Sequence, residues 1–333
     1  MDSVGRIDPR QHLSVIAEPN RLGVLRRLMA APATLSQLAR SFGTYPAWVR
    51  HHVLRLQEAG LVELAEVRTT RNYTEKYYRA TAPAFSVHAL VTPDFGKGRA
   101  VVALGSHDLA LEALATLVSA GKGGIDVVPA AIGSLDGLVA LRQGLADLAG
   151  CHLLDPETGT FNLPYVRHLF PERSVVLVTL AEREQGMIVP PGNPLGVRGV
   201  EDLGRGDVRL ANRNGGSGTR LWLDRRLREI GIPHDAVPGY ADEHATHTEV
   251  AEAVLAGKAD AGIGIRAAAS ARELDFLPLF EERYDLVVPA DHLDDPGIAS
   301  LLEALTSGGF RKTLRHLGGY ATRHTGDQER LAV

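Results

Sequence analysis

Cysteine is almost missing from this chain. Cys151 is the only one among 333 residues, so no intrachain disulfide is possible. Long apolar runs are missing too. No stretch reaches 18 residues, and the opening Met1-Asp2-Ser3-Val4-Gly5-Arg6 has no apolar signal core, so neither a membrane span nor export is expected. A cytoplasmic location follows as the expectation. The glycine-rich phrase at 214–220 lacks the Lys-Ser/Thr ending of a phosphate-loop NTPase, and no Gly-x-Ser-x-Gly elbow occurs. Ser106-His107-Asp108 has the residue types of a hydrolase, but adjacent turn positions rarely give triad geometry. No catalytic role and no resident cofactor is therefore expected. Asp242, Glu243, His244 and His247 have possible metal-ligand types, yet spacing alone does not make a metal site.

Charge is present but unevenly placed. Residues 1–82 carry 12 Lys/Arg against 7 Asp/Glu, a surplus of five positive charges, whereas the remainder carries 24 against 33. A basic head suits DNA phosphates, and an acidic remainder stays off them. Within the head, Pro19 opens a helix with Leu22, Leu25, Leu28 and Met29 at helical spacing. Thr34 is placed to cap Leu35–Arg40, and a longer helix is expected from about Ala47 to Ala59. Val49, Val53, Leu54 and Leu56 form its buried stripe, with Gly60 at its end. Leu61–Leu64 and Tyr73–Ala80 read as strands around a polar tip at 68–72.

This is the order of a winged helix-turn-helix. Leu54-Arg-Leu-Gln-Glu-Ala-Gly-Leu-Val62 and Lys76-Tyr-Tyr-Arg-Ala-Thr81 resemble the ArsR family of bacterial repressors over about a quarter of the chain. The resemblance implies a reading helix in the major groove and a wing along the backbone. The candidate DNA contacts are Trp48, Arg50, His51 and Arg55 on the helix and Arg68 and Arg71 on the wing. Trp48 is large for a groove position and has a packing alternative. Double-stranded operator DNA and a homodimer are the expected partners. Metal-sensing members carry cysteines near the reading helix, and this chain has none there.

From Arg99 onward apolar strands alternate with helices, which argues for mostly parallel sheets with ligands at strand carboxyl ends. The expected strands are Ala100–Leu104, Ile125–Val128, Ala146–His152, Val175–Leu180, Gly186–Val189, Val208–Ala211 and Asp260–Ile265, with a return crossing at Glu281–Leu286. The run Gly133–Asp155, Arg183-Glu-Gln-Gly-Met-Ile-Val189, Asn212-Arg-Asn-Gly-Gly-Ser-Gly-Thr-Arg220 and Gly257-Lys-Ala-Asp-Ala-Gly-Ile-Gly264 resemble the periplasmic-binding-protein-like domain of molybdate and tungstate binding proteins. That resemblance covers roughly 97–320. It implies a two-lobed type II ligand cup.

The fold class expected is therefore α/β: a winged helix-turn-helix at 1–82, a linker at 83–98, the two-lobed domain at 99–322 and a fraying polar tail from 323. Ser106, Ser134, Ser217 and Thr219 fall at helix starts, where free N–H groups and the helix dipole favour an anion. His107, Gly218 and His247 join them. Arg213 and Arg220 are candidate cations; Arg220 has an i,i+4 pair with Asp224 as its alternative. Tyr284 is a candidate cover for the mouth. A pocket offering only donors would favour a molybdate- or tungstate-type oxyanion over protonated phosphate, unless Asp108 or Asp136 accepts. The function expected is a one-component transcriptional regulator sensing that anion. A pterin-like or nucleotide-like organic anion, or an anion-storage protein, are the alternatives.

Overall fold

The computed structural model describes residues 5–7, 9–70, 73–87, 99–121 and 123–332. The chain divides into two compact units, Met1–Val91 and Thr92–Val333.

In the first unit the order is β1 (Gly5–Ile7), α1 (Pro9–Ile16), α2 (Pro19–Ala30), β2 (Ala33–Thr34), α3 (Leu35–Ser41), α4 (Pro46–Glu58), β3 (Val62–Thr70), β4 (Tyr73–Ala80) and β5 (Phe85–Val87). Helix α2 starts where Pro19 fixes φ, and Glu18 accepts from the Asn20 and Arg21 amides. Helix α3 starts with a reciprocal capping box between Thr34 and Gln37. Val24, Leu25, Leu28, Leu38, Val49, Val53 and Leu56 close a small core under the β3–β4 hairpin. Burying each such side chain contributes about 1.5–3 kcal/mol. Leu54 is not in that core; it is 37% exposed, and His52 is buried instead. The stripe follows 49, 52, 53 and 56, and residue 54 lies 100° past it. Residues 85–87, expected as linker, form β5 and pair in parallel with β1.

The second unit continues with β6 (Arg99–Gly105), α5 (Leu109–Ser119), β7 (Ile125–Ala131), α6 (Ser134–Arg142), β8 (Leu148–Cys151), α7 (Leu163–Leu169), β9 (Val175–Val189), β10 (Leu210–Arg213), α8 (Gly218–Glu229), β11 (Glu243–His244), α9 (His247–Leu255), β12 (Ala261–Ile265), α10 (Arg266–Ser270), β13 (Asp275–Pro289), α11 (Pro296–Thr306), α12 (Gly308–Leu317), β14 (Tyr320–Ala321) and β15 (Gln328–Leu331). Parallel ladders β7–β6–β8 and β11–β10–β12 form the centres of two lobes. Strands β9 and β13 join them as one long antiparallel ribbon, with register shifts at Pro278/Phe280 and Tyr284/Asp285. The two strands expected at 175–180 and 186–189 are thus one uninterrupted strand. The expected crossing at 281–286 lies inside β13.

The segment expected as a fraying tail carries a paired strand. Strand β15 pairs with Val175–Val178 of β9, and Leu331 packs partly on the core. Together with β14 it covers a ribbon edge that would otherwise leave backbone donors and acceptors unpaired.

Candidate functional site

The strand ends and helix starts of both lobes converge on a buried polar cluster. Asp108, not Ser106, caps α5 through the Leu111 amide. Ser106 instead places its hydroxyl 2.8 Å from His152 Nε2. Gly133, whose φ of +101° suits glycine, holds the cap position of α6, so Ser134 is the helix's first residue rather than its cap. The Ser134 hydroxyl accepts from the His152 amide at 3.3 Å. Ser217 does cap α8: its Oγ accepts from the Arg220 amide and donates to the Asn214 carbonyl at 2.9 Å. That hydroxyl is thereby engaged within its own turn.

Tyr284 is not a cover. It is fully buried, donates to the Ser106 carbonyl at 2.6 Å, stacks on His152 and lies under the Arg183 guanidinium. It packs in the ribbon because the adjacent Gly150 leaves room for its ring. Arg220 takes its ion-pair alternative, with Nε 2.9 Å from Asp224, Nη1 3.1 Å from Glu243, and its plane over Tyr240. Asp242 stands 3.7 Å from the His244 ring. Among the described residues no group of three His, Cys, Asp or Glu is arranged to hold a metal ion.

Four residues that sequence reasoning did not single out complete the cluster: His152, Arg183, Gln185 and Glu282. All are buried. Arg183 bridges Asp108 and Glu282, contacting the latter at 2.6 Å. Glu282 also contacts His152 Nδ1 at 2.7 Å and receives Gln185 Nε2 at 2.8 Å. Gln185 Nε2 also reaches Thr219 Oγ1 at 3.0 Å. Burial opposes ionisation of Glu282, but Arg183 and His152 outweigh it and pull the carboxyl down to about 2. Burial pushes His152 below the ordinary histidine value against the pull of Glu282. The available signal was the alternation Glu182-Arg183-Glu184-Gln185 in an otherwise apolar strand, with every second residue turned inward.

Arg213 lies close enough to feel the charges of Arg183 and Glu282, but it makes no hydrogen bond to them among the described residues. It is 1% exposed, and its guanidinium meets only the His244 and Ala245 carbonyls, at 3.2 and 2.9 Å, and the Asn214 amide oxygen at 3.4 Å. It has no carboxylate partner among the described residues. Burial, reinforced by the Arg183 charge, holds it down at about 9. Among the described residues its Nη1 has no hydrogen-bond partner, and neither do Arg183 Nη2, Gln185 Oε1 or the two His247 ring nitrogens. His247 opens α9, and its backbone N–H donates to His107 Nδ1 at 3.2 Å, a link between the lobes. Burial, then Arg213 and Arg183, drives its pKa well below the ordinary value, which keeps the ring neutral. Gly218 also brings the lobes together: a Cβ there would sit 2.6 Å from the His152 carbonyl.

The first unit presents a different surface. Arg50 and His51 are exposed on α4. Arg55 pairs with Glu58 at 3.2 Å, and Arg68 grips Glu66 with two 2.9 Å bonds while lying over Tyr77. Such exposed pairs are weak enough for a phosphate to displace. Trp48 is half-buried, edge-on to His52 at 4.3 Å and 6.3 Å from Phe42, so it packs within the unit. Arg71 lies outside the described residues.

A family profile described as a PBP superfamily domain matches residues 115–306, more than half of the chain. The chain belongs to the PBP superfamily. A helix-turn-helix domain profile matches residues 16–65, so a DNA-binding type of unit precedes the PBP-superfamily domain. The uncharacterized protein YvgK of Bacillus subtilis (strain 168) is 33% identical over 286 residues, covering 85% of this chain and 89% of its own. An uncharacterized protein from the ferredoxin 2Fe-2S gene 5′ region of Clostridium pasteurianum is 35% identical over 107 residues, 32% of this chain and 95% of that one. Among solved structures, the sulfate-binding protein SubI from Mycobacterium tuberculosis H37Rv aligns with a TM-score of 0.47 at 18% identity, over 68% of this chain and 86% of that one. An ABC-type phosphate transport receptor from Vibrio cholerae aligns with a TM-score of 0.44 at 16% identity, over 66% and 98%.

Proposed function

We propose that this chain is a one-component transcriptional regulator, cytoplasmic and without catalytic activity. Its helix-turn-helix unit binds operator DNA as a homodimer, and its PBP-superfamily domain senses a small anion between the lobes. The observation that carries the sensing half is Arg213, a buried guanidinium without a carboxylate and with one nitrogen unpartnered. A desolvated, unpaired cation is costly, and an anion within reach of Nη1 relieves that cost. The starts of α6, α8 and α9 are helix N-termini, where backbone N–H groups and the helix dipole favour an anion. Ligand binding draws the lobes together, and that closure alters DNA affinity by linkage.

A tetrahedral oxyanion of the molybdate or tungstate type answers the cation and the helix starts. A small organic anion answers them too, and its own donors also answer the unpartnered Gln185 carbonyl oxygen. The test is a thermal-shift titration of the full chain with sulfate, phosphate, molybdate, tungstate and pterin-6-carboxylate. It is paired with anisotropy on promoter DNA with and without the stabilising compound. A ligand at ~100 times its Kd adds about 2.7 kcal/mol of stability. No stabilisation by any anion sinks the sensing half. Absence of salt-dependent duplex binding sinks the regulatory half and favours storage. A monomeric mass by light scattering, with and without DNA, removes the homodimer.

A further inference from the structure

The cluster around Arg213 offers acceptors as well as donors, and its fixed charges already cancel. The donors are Arg213 Nη1 and Arg183 Nη2, neither of which has a partner. The first acceptor is Gln185 Oε1. Its orientation is fixed, because Nε2 is held by Glu282 at 2.8 Å and by Thr219 at 3.0 Å. Turning the amide would set a carbonyl oxygen against a carboxylate. The second acceptor comes from His247. Both of its ring nitrogens are buried and unpartnered, and a neutral imidazole presents one N–H and one lone pair. Buried charge in the cluster comes from Arg183 and Arg213 on one side and Asp108 and Glu282 on the other.

A bare dianion would meet this arrangement badly. It would leave one more negative charge uncompensated than a monoanion does, and it would point acceptor oxygens at Gln185 Oε1 and at the His247 lone pair. Unmet buried polar groups each cost about 1–3 kcal/mol, which is enough to set specificity. Building on the anion-sensing reading, we propose that the ligand is a singly charged anion carrying at least one hydrogen-bond donor of its own. Protonated oxyanions and small organic anions with an N–H or O–H belong to this class; sulfate, molybdate and tungstate do not. Gln185 is the residue that tells the two classes apart.

The experiment is calorimetric titration of the full chain at neutral pH with two groups of probes. Sulfate, molybdate and tungstate carry no proton; inorganic phosphate and pterin-6-carboxylate do carry donors. Phosphate and sulfate share shape and size, so their ratio reads the bound proton, that is the donor together with the lower charge of the monoanion. Binding of phosphate or pterin-6-carboxylate at least about tenfold tighter than sulfate and molybdate is expected. In Gln185→Met that preference is expected to fall to within about twofold, read as the ratio of the two affinities in the same variant; a tenfold preference that survives the substitution overturns the assignment to Gln185. Sulfate, molybdate or tungstate binding as tightly as the donor-bearing probes in the unmutated protein overturns the inference and leaves the anion sensor standing. Failure of all five probes overturns the anion reading beneath it. Because the first comparison uses the unmutated chain, it holds even if Gln185→Met does not fold.

Discussion

Replacing Arg213 with methionine is expected to stabilise the ligand-free protein and to abolish its response to ligand. A guanidinium that titrates at about 9, against an ordinary value above 12, binds its proton less tightly folded than unfolded. The unfolded chain therefore holds more protons between those values. The penalty on folding is complete below pH 9 and fades only as pH rises above it. At about 1.4 kcal/mol per pH unit this amounts to roughly 4–5 kcal/mol at neutral pH. Methionine removes that penalty but also the three bonds to His244, Ala245 and Asn214, each worth about 1 kcal/mol. The net gain is about 2 kcal/mol, or about 4–8 °C for a unit of this size. Differential scanning fluorimetry with and without the stabilising anion reads both effects. A lower melting temperature together with an intact ligand shift would refute the reasoning, because Arg213 would then be a structural cation.

Other outcomes follow from the same geometry. Gly218→Ala keeps an ordinary helical backbone but drives a methyl into the His152 carbonyl, so ligand affinity is expected to fall at least about tenfold with little change in melting temperature; unchanged calorimetric affinity contradicts this. Arg50→Ala is expected to weaken operator binding by about 1–3 kcal/mol if the side chain reads a base, and a flat anisotropy result removes α4 as the reader. Stability of the second unit is expected to fall as pH drops. His152 and His247 are held neutral when folded, so the unfolded state takes up protons first, below the ordinary histidine value. Glu282 adds a second loss between its ordinary value of 4.5 and about 2. Melting curves that are flat from neutral pH to pH 4 would contradict the histidine assignments, and curves that stay flat from there to about pH 2 would contradict that of Glu282.

Local signals carried far in this sequence. Pro19, Thr34 and Ser217 mark helix starts by signals that act within four residues, and each start is where the residues imply. Arg213 and His247 were legible because they border such starts. The partners Arg183, Gln185, His152 and Glu282 were not, since the cluster joins distant residues, His152 and Glu282 being 130 positions apart, and depends on how β9 and β13 pair. Arg183 and Gln185 stood inside a phrase that signalled fold, and strand alternation alone does not say which neighbours an inward side chain meets. Tyr284 was misplaced for the same reason: a residue near a crossing can cover a mouth or fill a ribbon, and only the pairing with Ala181 decides. The C-terminal segment looked free because its polar composition hides that β9 has an edge to be covered.

The unbroken β9–β13 ribbon has a mechanical consequence. Two lobes joined by loops could swing on a few soft torsions, whereas lobes joined by paired strands move only by twisting and flexing a hydrogen-bonded plank. The resting angle is then an elastic property of the plank, and the register shifts at Pro278/Phe280 and Tyr284/Asp285 are where its stiffness is interrupted. Arg183 and Glu282 face each other between those two soft points. A ligand that pulls on Arg183 is therefore loading a spring at mid-span, where a small force gives the largest deflection.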